Sequence, residues 1–229
     1  MNKTISFGLL VCMGLGVSCR EDMPTPGNPY VKCNELLSAC AGNGDGAFCT
    51  FGYKWGESNP FYDNAGLDID GPGDWGGQIS YSLAPEGTSF NTHSQTNVTS
   101  VSLKEITVCT AEHEIKRALE AWASVADLEF VEVTDQRGDI QFIVADIEQG
   151  GIGYPNYTDD LCSTLAGQLI IDVPTRNTCD GFYNLVLHEI GHTLGLGHVS
   201  TANIMNPGFS STELQPGDIQ GIQSIYGAR

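Results

Sequence analysis

The sequence is poor in basic residues, with 10 Lys and Arg against 28 Asp and Glu and a formal charge of −18 over 229 residues. Nucleic acids and anionic membrane surfaces attract positive charge, so this balance argues against both as partners. The surplus of carboxylates fits an exported, soluble protein that binds calcium at acidic clusters. Charge decides nothing about the fold, but the length is that of one domain with a proper core.

Hydrophobic runs of membrane-spanning length are also missing. The apolar stretch at about residues 5–17 is too short to cross a bilayer and is typical of a signal peptide, which we place at residues 1–18. Ser18 before Cys19 is similar to a bacterial lipoprotein processing site, although Gly16 stands where Leu is usual. We expect Cys19 to be lipidated and to anchor the chain at the outer membrane or cell surface. The alternative is ordinary cleavage near Ser18, a free Cys19 and an extracellular protein.

No Cys-x-x-Cys pair is present, which argues against a metal site built from cysteines. Of the eight cysteines, one lies in the signal peptide and one is the expected lipid site, which leaves Cys33, Cys40, Cys49, Cys109, Cys162 and Cys179. An even number in an exported chain predicts up to three disulfides. Proximity along the chain favours Cys162 with Cys179, and two of the first three with each other. The third would then pair with Cys109, and other pairings stay open.

Histidine is scarce, yet three of the five histidines fall within eleven residues. On a helix, His188 and His192 are one turn apart, so both imidazoles leave one face and suit two ligands of a tetrahedral zinc. Gly195 can adopt the left-handed conformation that ends a helix and returns His198 to the same metal. Glu189 can reach a water on the metal without binding the metal itself. Three nitrogen ligands leave one position open, which is typical of a catalytic zinc.

This motif resembles that of the metzincin metallopeptidases, and among them the matrixins. Met205, seven residues after His198, is similar to the methionine of the family's Met-turn, an apolar floor under the metal. Residues 214–227 are similar to the last matrixin helix. The resemblance covers about residues 77–229. It implies an α+β fold with a twisted five-stranded mixed sheet, an antiparallel edge strand, an active-site helix, the Met-turn and a C-terminal helix.

Hydrophobic patterning is consistent with this fold. Alternation and apolar runs predict strands at residues 78–83, 128–133, 139–144 and 167–173. Helical spacing predicts a helix that begins after Thr110, and strand, helix and strand in this order predict neighbouring parallel strands. In the family pattern, an edge strand that pairs with substrate would comprise Gly151, Ile152, Gly153 and Tyr154, with a plain loop as the alternative.

Residues 19–76 are rich in Gly, Pro, Asn and Asp and predict an irregular, disulfide-pinned segment without a core of its own. Asp68, Asp70 and Asp74 form a candidate calcium loop, with a solvated turn as the alternative. The segment could also be a pro-region, but the Pro-Arg-Cys-Gly type motif by which matrixins hold latency is absent. We therefore divide the chain into the signal peptide (1–18), this segment (19–76) and a metzincin catalytic domain (77–229).

Matrixins usually carry a second, structural zinc held by histidines. Outside the motif only His93 and His113 are present, so we expect a single zinc. The resemblance implies a monomeric, exported zinc endopeptidase acting on proteins or peptides, with Glu189 as general base and three zinc ligands, His188, His192 and His198. The alternatives are a zinc-binding surface lipoprotein that cuts nothing and a calcium-dependent binding module with the protease as its effector.

Overall fold

The computed structural model describes residues 28–37, 46–55, 77–157, 160–173 and 178–229. The expected signal peptide, Cys19, Cys40 and the three aspartates of the candidate calcium loop lie outside these ranges. Within them, no helix is both long and apolar enough to cross a bilayer. In chain order the elements are α1 (Val31–Leu37), β1 (Gly77–Leu83), β2 (Ser89–Phe90), β3 (Val98–Thr99), α2 (Ala111–Val125), β4 (Leu128–Glu132), β5 (Ile140–Ala145), β6 (Gly151–Gly153), β7 (Gln168–Asp172), α3 (Cys179–Thr193) and α4 (Pro216–Tyr226), with 3-10 turns at Leu103–Glu105 and Cys162–Thr164.

Five strands form one sheet in the order β4-β1-β5-β7-β6. Its first four strands are parallel, and β6 runs antiparallel to β7 at the edge. The predicted mixed sheet with an antiparallel edge strand is confirmed. The predicted strand, helix and strand unit is also confirmed. β1 precedes α2 in the chain, β4 follows it, and the two strands pair in parallel. β2 and β3 form a separate two-stranded ribbon.

Helix α2 packs one apolar face onto the sheet and onto α3. The buried residues on this face are Ile115, Ala118, Leu119 and Trp122. The indole Nε1 of Trp122 donates to the carbonyl oxygen of Leu187 over 3.1 Å, which ties α2 to the helix that carries the zinc motif. Thr110 does precede the helix as predicted, but its side chain makes no capping hydrogen bond.

The prediction of a disulfide between Cys162 and Cys179 is wrong. Cys162 bonds instead to Cys33, 129 positions away in the sequence, and both side chains are fully buried. Cys49 is also disulfide-bonded. The thiols of Cys109 and Cys179 are free but in contact with each other, because they lie at the starts of α2 and α3, which pack together. Proximity along the chain was therefore a poor guide to which cysteines pair.

Candidate metal centre

Helix α3 and the turn after it bring three imidazoles together. Thr178 caps this helix with a hydroxyl that accepts from the N–H of Gly181 over 3.1 Å. The Nε2 atom of His188 lies 3.0 Å from that of His192 and 3.1 Å from that of His198, and the remaining pair is 3.0 Å apart. Ligands about 2.0–2.1 Å from a tetrahedral ion stand roughly 3.3 Å from one another, so these nitrogens have nearly the spacing of zinc ligands.

The ring protons support the same arrangement. The Nδ1 of His188 lies 2.7 Å from the carbonyl oxygen of Ile204, and the Nδ1 of His192 lies 2.8 Å from that of Leu196. A carbonyl only accepts, so each Nδ1 carries the proton and each Nε2 points a lone pair at the others. Burial, together with the neighbouring imidazoles, holds the pKa of His192 well below its usual value. The converging Nε2 atoms form a donor set that a cation would satisfy.

The turn after α3 returns the third imidazole. Gly195 has φ +105°, a conformation that side chains other than glycine rarely adopt, and a Cβ there would also strike the backbone of Tyr53. Two backbone hydrogen bonds hold this turn from outside: Phe51 N–H donates to the Gly195 carbonyl over 2.8 Å, and Gly197 N–H donates to that of Cys49 over 2.9 Å. The predicted left-handed glycine is confirmed, but its tie to residues 49–51 was not predicted.

Met205 packs against the helix that carries the motif. A Cβ on Gly191 would overlap the sulfur of Met205, so the helix rests directly on this side chain. The turn itself is held by Asp218, whose carboxylate accepts from the N–H groups of Ile204 (2.8 Å) and Met205 (3.1 Å). Burial raises the pKa of Asp218, and these N–H groups oppose that rise.

Glu189 lies against the edge strand with only 5% of its surface exposed. A Cβ on Gly151 would lie 2.8 Å from Oε1 of Glu189. A Cβ on Gly153 would overlap the Glu189 carbonyl oxygen and lie 3.0 Å from Cβ of His192. The two glycines therefore let β6 lie directly on the zinc-motif helix. Tyr154 follows the strand, and its side chain is fully buried, with the hydroxyl 2.8 Å from Nδ1 of His93.

A cleft of about 380 Å³ runs past these groups. One set of lining residues is polar and lies on the β6 side: Asn34, His93 and Gln149. The lining from α3 and the chain after the Met-turn is mixed, with apolar Leu185, Pro207 and Phe209 beside polar Asn184 and Asn206. The chain just after the Met-turn, residues 206–209, thus contributes to the lining. Among the described residues, the three imidazoles are the group of side chains spaced to hold a metal ion.

Comparison with known proteins identifies the family. A family model described as Matrixin matches residues 89–227, more than half of the chain. The chain belongs to the matrixin family. It is 30% identical to Matrix metalloproteinase-2 of Drosophila melanogaster over 139 residues (52% of this chain, 18% of that protein). It is 29% identical to Matrilysin of Homo sapiens over 171 residues (65% of this chain, 62% of that protein). This matrixin therefore spans less than two thirds of either relative.

Three features of the site in this matrixin were not predicted from the sequence. The ring of Phe51 stacks on His192, with centroids 5.7 Å apart and planes 26° apart. Asn34 lines the cleft although it precedes the match to the family by more than fifty residues. The carboxylate of Asp218 supports the Met-turn. None of the three has a local sequence signal.

Proposed function

We propose that this matrixin is an endopeptidase that uses one zinc ion to hydrolyse peptide bonds in proteins. The observation that carries the proposal is the set of converging imidazole nitrogens beside Glu189, in a cleft bordered by an edge strand. Matrixins use a catalytic zinc, and the donor spacing and ring tautomers fit that ion. The proposed ligands are His188, His192 and His198.

The proposed role of each group in the reaction is as follows. Zinc, when bound, supplies Lewis-acid polarisation of a water molecule and of the scissile carbonyl. Glu189 takes the proton of the attacking water and passes it to the leaving amine. Its burial against Gly151 keeps the carboxylate at one place in the cleft. Met205 supports the three imidazoles from below without touching the substrate.

Substrate would bind as an extended strand along β6. In the antiparallel pair with β7, Tyr154 N–H donates to the Gln168 carbonyl and Asp172 N–H donates to that of Gly150. Because such pairs alternate, the polar backbone groups of Gly151 and Gly153 point away from β7. The Gly153 N–H and both glycine carbonyls are therefore placed to pair with a peptide backbone. The apolar lining at Leu185, Pro207 and Phe209 suits an apolar substrate side chain.

Export and anchoring are part of the same proposal. The Cys33–Cys162 disulfide supports an oxidising compartment, and Ser18-Cys19 supports a lipid anchor at the outer membrane or cell surface. A calcium ion at Asp68, Asp70 and Asp74 and a monomeric state stay predictions. Mass spectrometry of the membrane fraction tests the anchor: a diacylglycerol adduct on Cys19 supports it, and a soluble chain beginning at Cys19 refutes it.

We also propose that the catalytic unit includes residues 46–55 as well as 77–229. Trp55 supports this boundary, since its indole Nε1 donates to the Thr193 carbonyl over 2.7 Å and its backbone N–H donates to the Tyr226 hydroxyl over 3.0 Å. A chain beginning at Gly77 should bind zinc more weakly than a chain beginning at Gly46. Equal zinc affinity would return the boundary to residue 77.

The decisive test of the function is Glu189→Ala. The purified protein is incubated with a denatured protein mixture, and new N-termini are identified by mass spectrometry. The intact protein should cut, whereas the variant should hold an equal amount of zinc and cut nothing. Cutting by the variant would overturn the role of Glu189. Zinc binding without any cutting by the intact protein would favour a zinc-bearing surface lipoprotein with a binding role.

A further inference from the structure

Helix α1 lies at the substrate cleft although it belongs to the segment before the catalytic domain. Asn34, in the middle of this helix, lines the cleft together with the three imidazoles and Glu189. Its side chain is exposed, whereas its neighbour Cys33 is fully buried. The helix therefore presents one residue to the protein interior and the next to the cleft.

The position of α1 depends on contacts outside the helix. A helix of seven residues is too short to be stable by itself. The Cys33–Cys162 disulfide joins it to the 3-10 turn before β7, and the Tyr157 hydroxyl donates to the Cys33 carbonyl over 3.2 Å. Just before the helix, the Asn28 side-chain amide donates to the carbonyl of Thr92 (3.2 Å) and to that of His93 (3.1 Å). These contacts fix α1 beside the loop that carries His93.

Polar side chains line the cleft beside α1 and the loop that carries His93. Asn34, His93 and Gln149 each carry a side chain that both donates and accepts hydrogen bonds. The lining from α3 and the chain after the Met-turn combines apolar Leu185 and Phe209 with polar Asn184 and Asn206. Because Cys33 is held covalently, the backbone of its neighbour Asn34 is positioned before substrate arrives, and less entropy is lost when Asn34 forms a hydrogen bond.

We propose that Asn34, held in place by the Cys33–Cys162 disulfide, is a specificity-determining residue of the cleft. It selects substrates with a polar, uncharged side chain at the position that faces α1. The inference rests on the proposed endopeptidase function and adds a substrate preference to it. The N-terminal segment then supplies part of the substrate site in the working enzyme, and its removal would change which bonds are cut.

The test compares Asn34→Ala with Lys32→Ala, a matched control at an exposed residue of the same helix that does not line the cleft. Mature, disulfide-bonded proteins are incubated with a peptide library, and preferences are read from the new termini. A single hydrogen bond contributes about 0.5–1.5 kcal/mol, so kcat/KM for peptides with Asn, Gln, Ser or Thr at one position should fall about 2- to 12-fold. Peptides with Ala at that position should be cut as before.

A second measurement does not need turnover. In the Glu189→Ala background, the Kd of the preferred peptide should rise by the same factor when Asn34→Ala is added, and stay unchanged with Lys32→Ala. An Asn34→Ala profile identical to that of the intact protein, or an unchanged Kd, overturns the inference while the endopeptidase function stands. Absence of cutting by the intact protein overturns the function. A peptide selected from the same library by binding to the Glu189→Ala protein then replaces the preferred peptide, and its Kd decides the role of Asn34 independently.

A separate variant tests the role of the disulfide. Replacing both cysteines together, Cys33→Ser with Cys162→Ser, frees α1 without leaving a lone thiol. This double variant should show the same loss of preference as Asn34→Ala, at the same substrate position. If it keeps the full preference with a folded, zinc-loaded protein, the disulfide has no role in the selection. If it does not fold, Asn34→Ala alone decides the proposal.

Discussion

The two glycines of the edge strand should respond differently to the same substitution. At position 151, an added Cβ meets the end of the Glu189 side chain, 2.8 Å from Oε1 and 2.9 Å from Cγ. At position 153 it meets the backbone carbonyl of the same residue. A side chain can turn aside at small cost, whereas a helix backbone cannot move without disturbing its neighbours. Gly151→Ala is therefore expected to change activity, and Gly153→Ala to change stability.

The magnitudes follow from these contacts. Relief at position 151 requires the Glu189 carboxylate to move by about 0.7 Å, given that ordinary contacts lie near 3.5 Å. Misplacement on the scale of 1 Å costs about 100-fold in rate, so we expect kcat to fall about 10- to 100-fold with zinc content unchanged. Overpacking against backbone at position 153 should lower the free energy of unfolding by about 1–3 kcal/mol.

The assay is urea unfolding of each variant, combined with zinc content and kcat on one peptide. Gly46→Ala is a matched control, because a Cβ there meets its nearest neighbour, the Phe48 carbonyl oxygen, at 3.4 Å. It should match the intact protein in all three measurements. Gly151→Ala with full activity, or Gly153→Ala with full stability, would show that β6 does not lie on α3 as closely as the structure indicates.

Three further predictions concern the support of the metal site. Asp218→Asn places an amide N–H against a Met-turn N–H and should lower the free energy of unfolding by about 1.5–3 kcal/mol, measured in urea; an unchanged midpoint would contradict this. Gly191→Ala should displace Met205 and weaken zinc affinity, measured by competition with a chelator, and unchanged affinity would remove Met205 from its supporting role. The thiols of Cys109 and Cys179 should pair when a small-molecule disulfide accepts their two electrons and protons. Intact mass would then fall by two hydrogen atoms, and persistent free thiols would refute the pairing.

The sequence predicts best what depends on local periodicity. The spacing of His188 and His192 predicts a helix with both rings on one face. Alternation and apolar runs predict the strands. Gly195 and the Met-turn follow from fixed offsets after the motif. In each case a few neighbouring residues are enough to define the conformation, so the interpretation needs no knowledge of distant contacts.

Contacts between distant parts of the chain could not be predicted in the same way. Cys33 bonds to Cys162 rather than to a nearer cysteine because the fold places α1 against the turn before β7. The entropy of closing a loop grows only slowly with its length, so proximity along the chain is a weak guide to pairing. For the same reason, nothing around Phe51 or Asn34 indicates that the one stacks on a proposed ligand and the other lines the cleft.

The positions of the three proposed zinc ligands therefore depend on different segments of the chain. The α3 helix alone fixes His188 and His192 relative to each other. His198 lies beyond the helix, and its place depends on a turn that residues 49–51 hold through backbone hydrogen bonds. The His188 ring is in turn oriented by the Ile204 carbonyl, in a Met-turn that Asp218 supports from α4. Zinc affinity should therefore report on the folding of all these segments together, and a chain that keeps the whole motif but lacks residues 46–55 should still bind zinc more weakly.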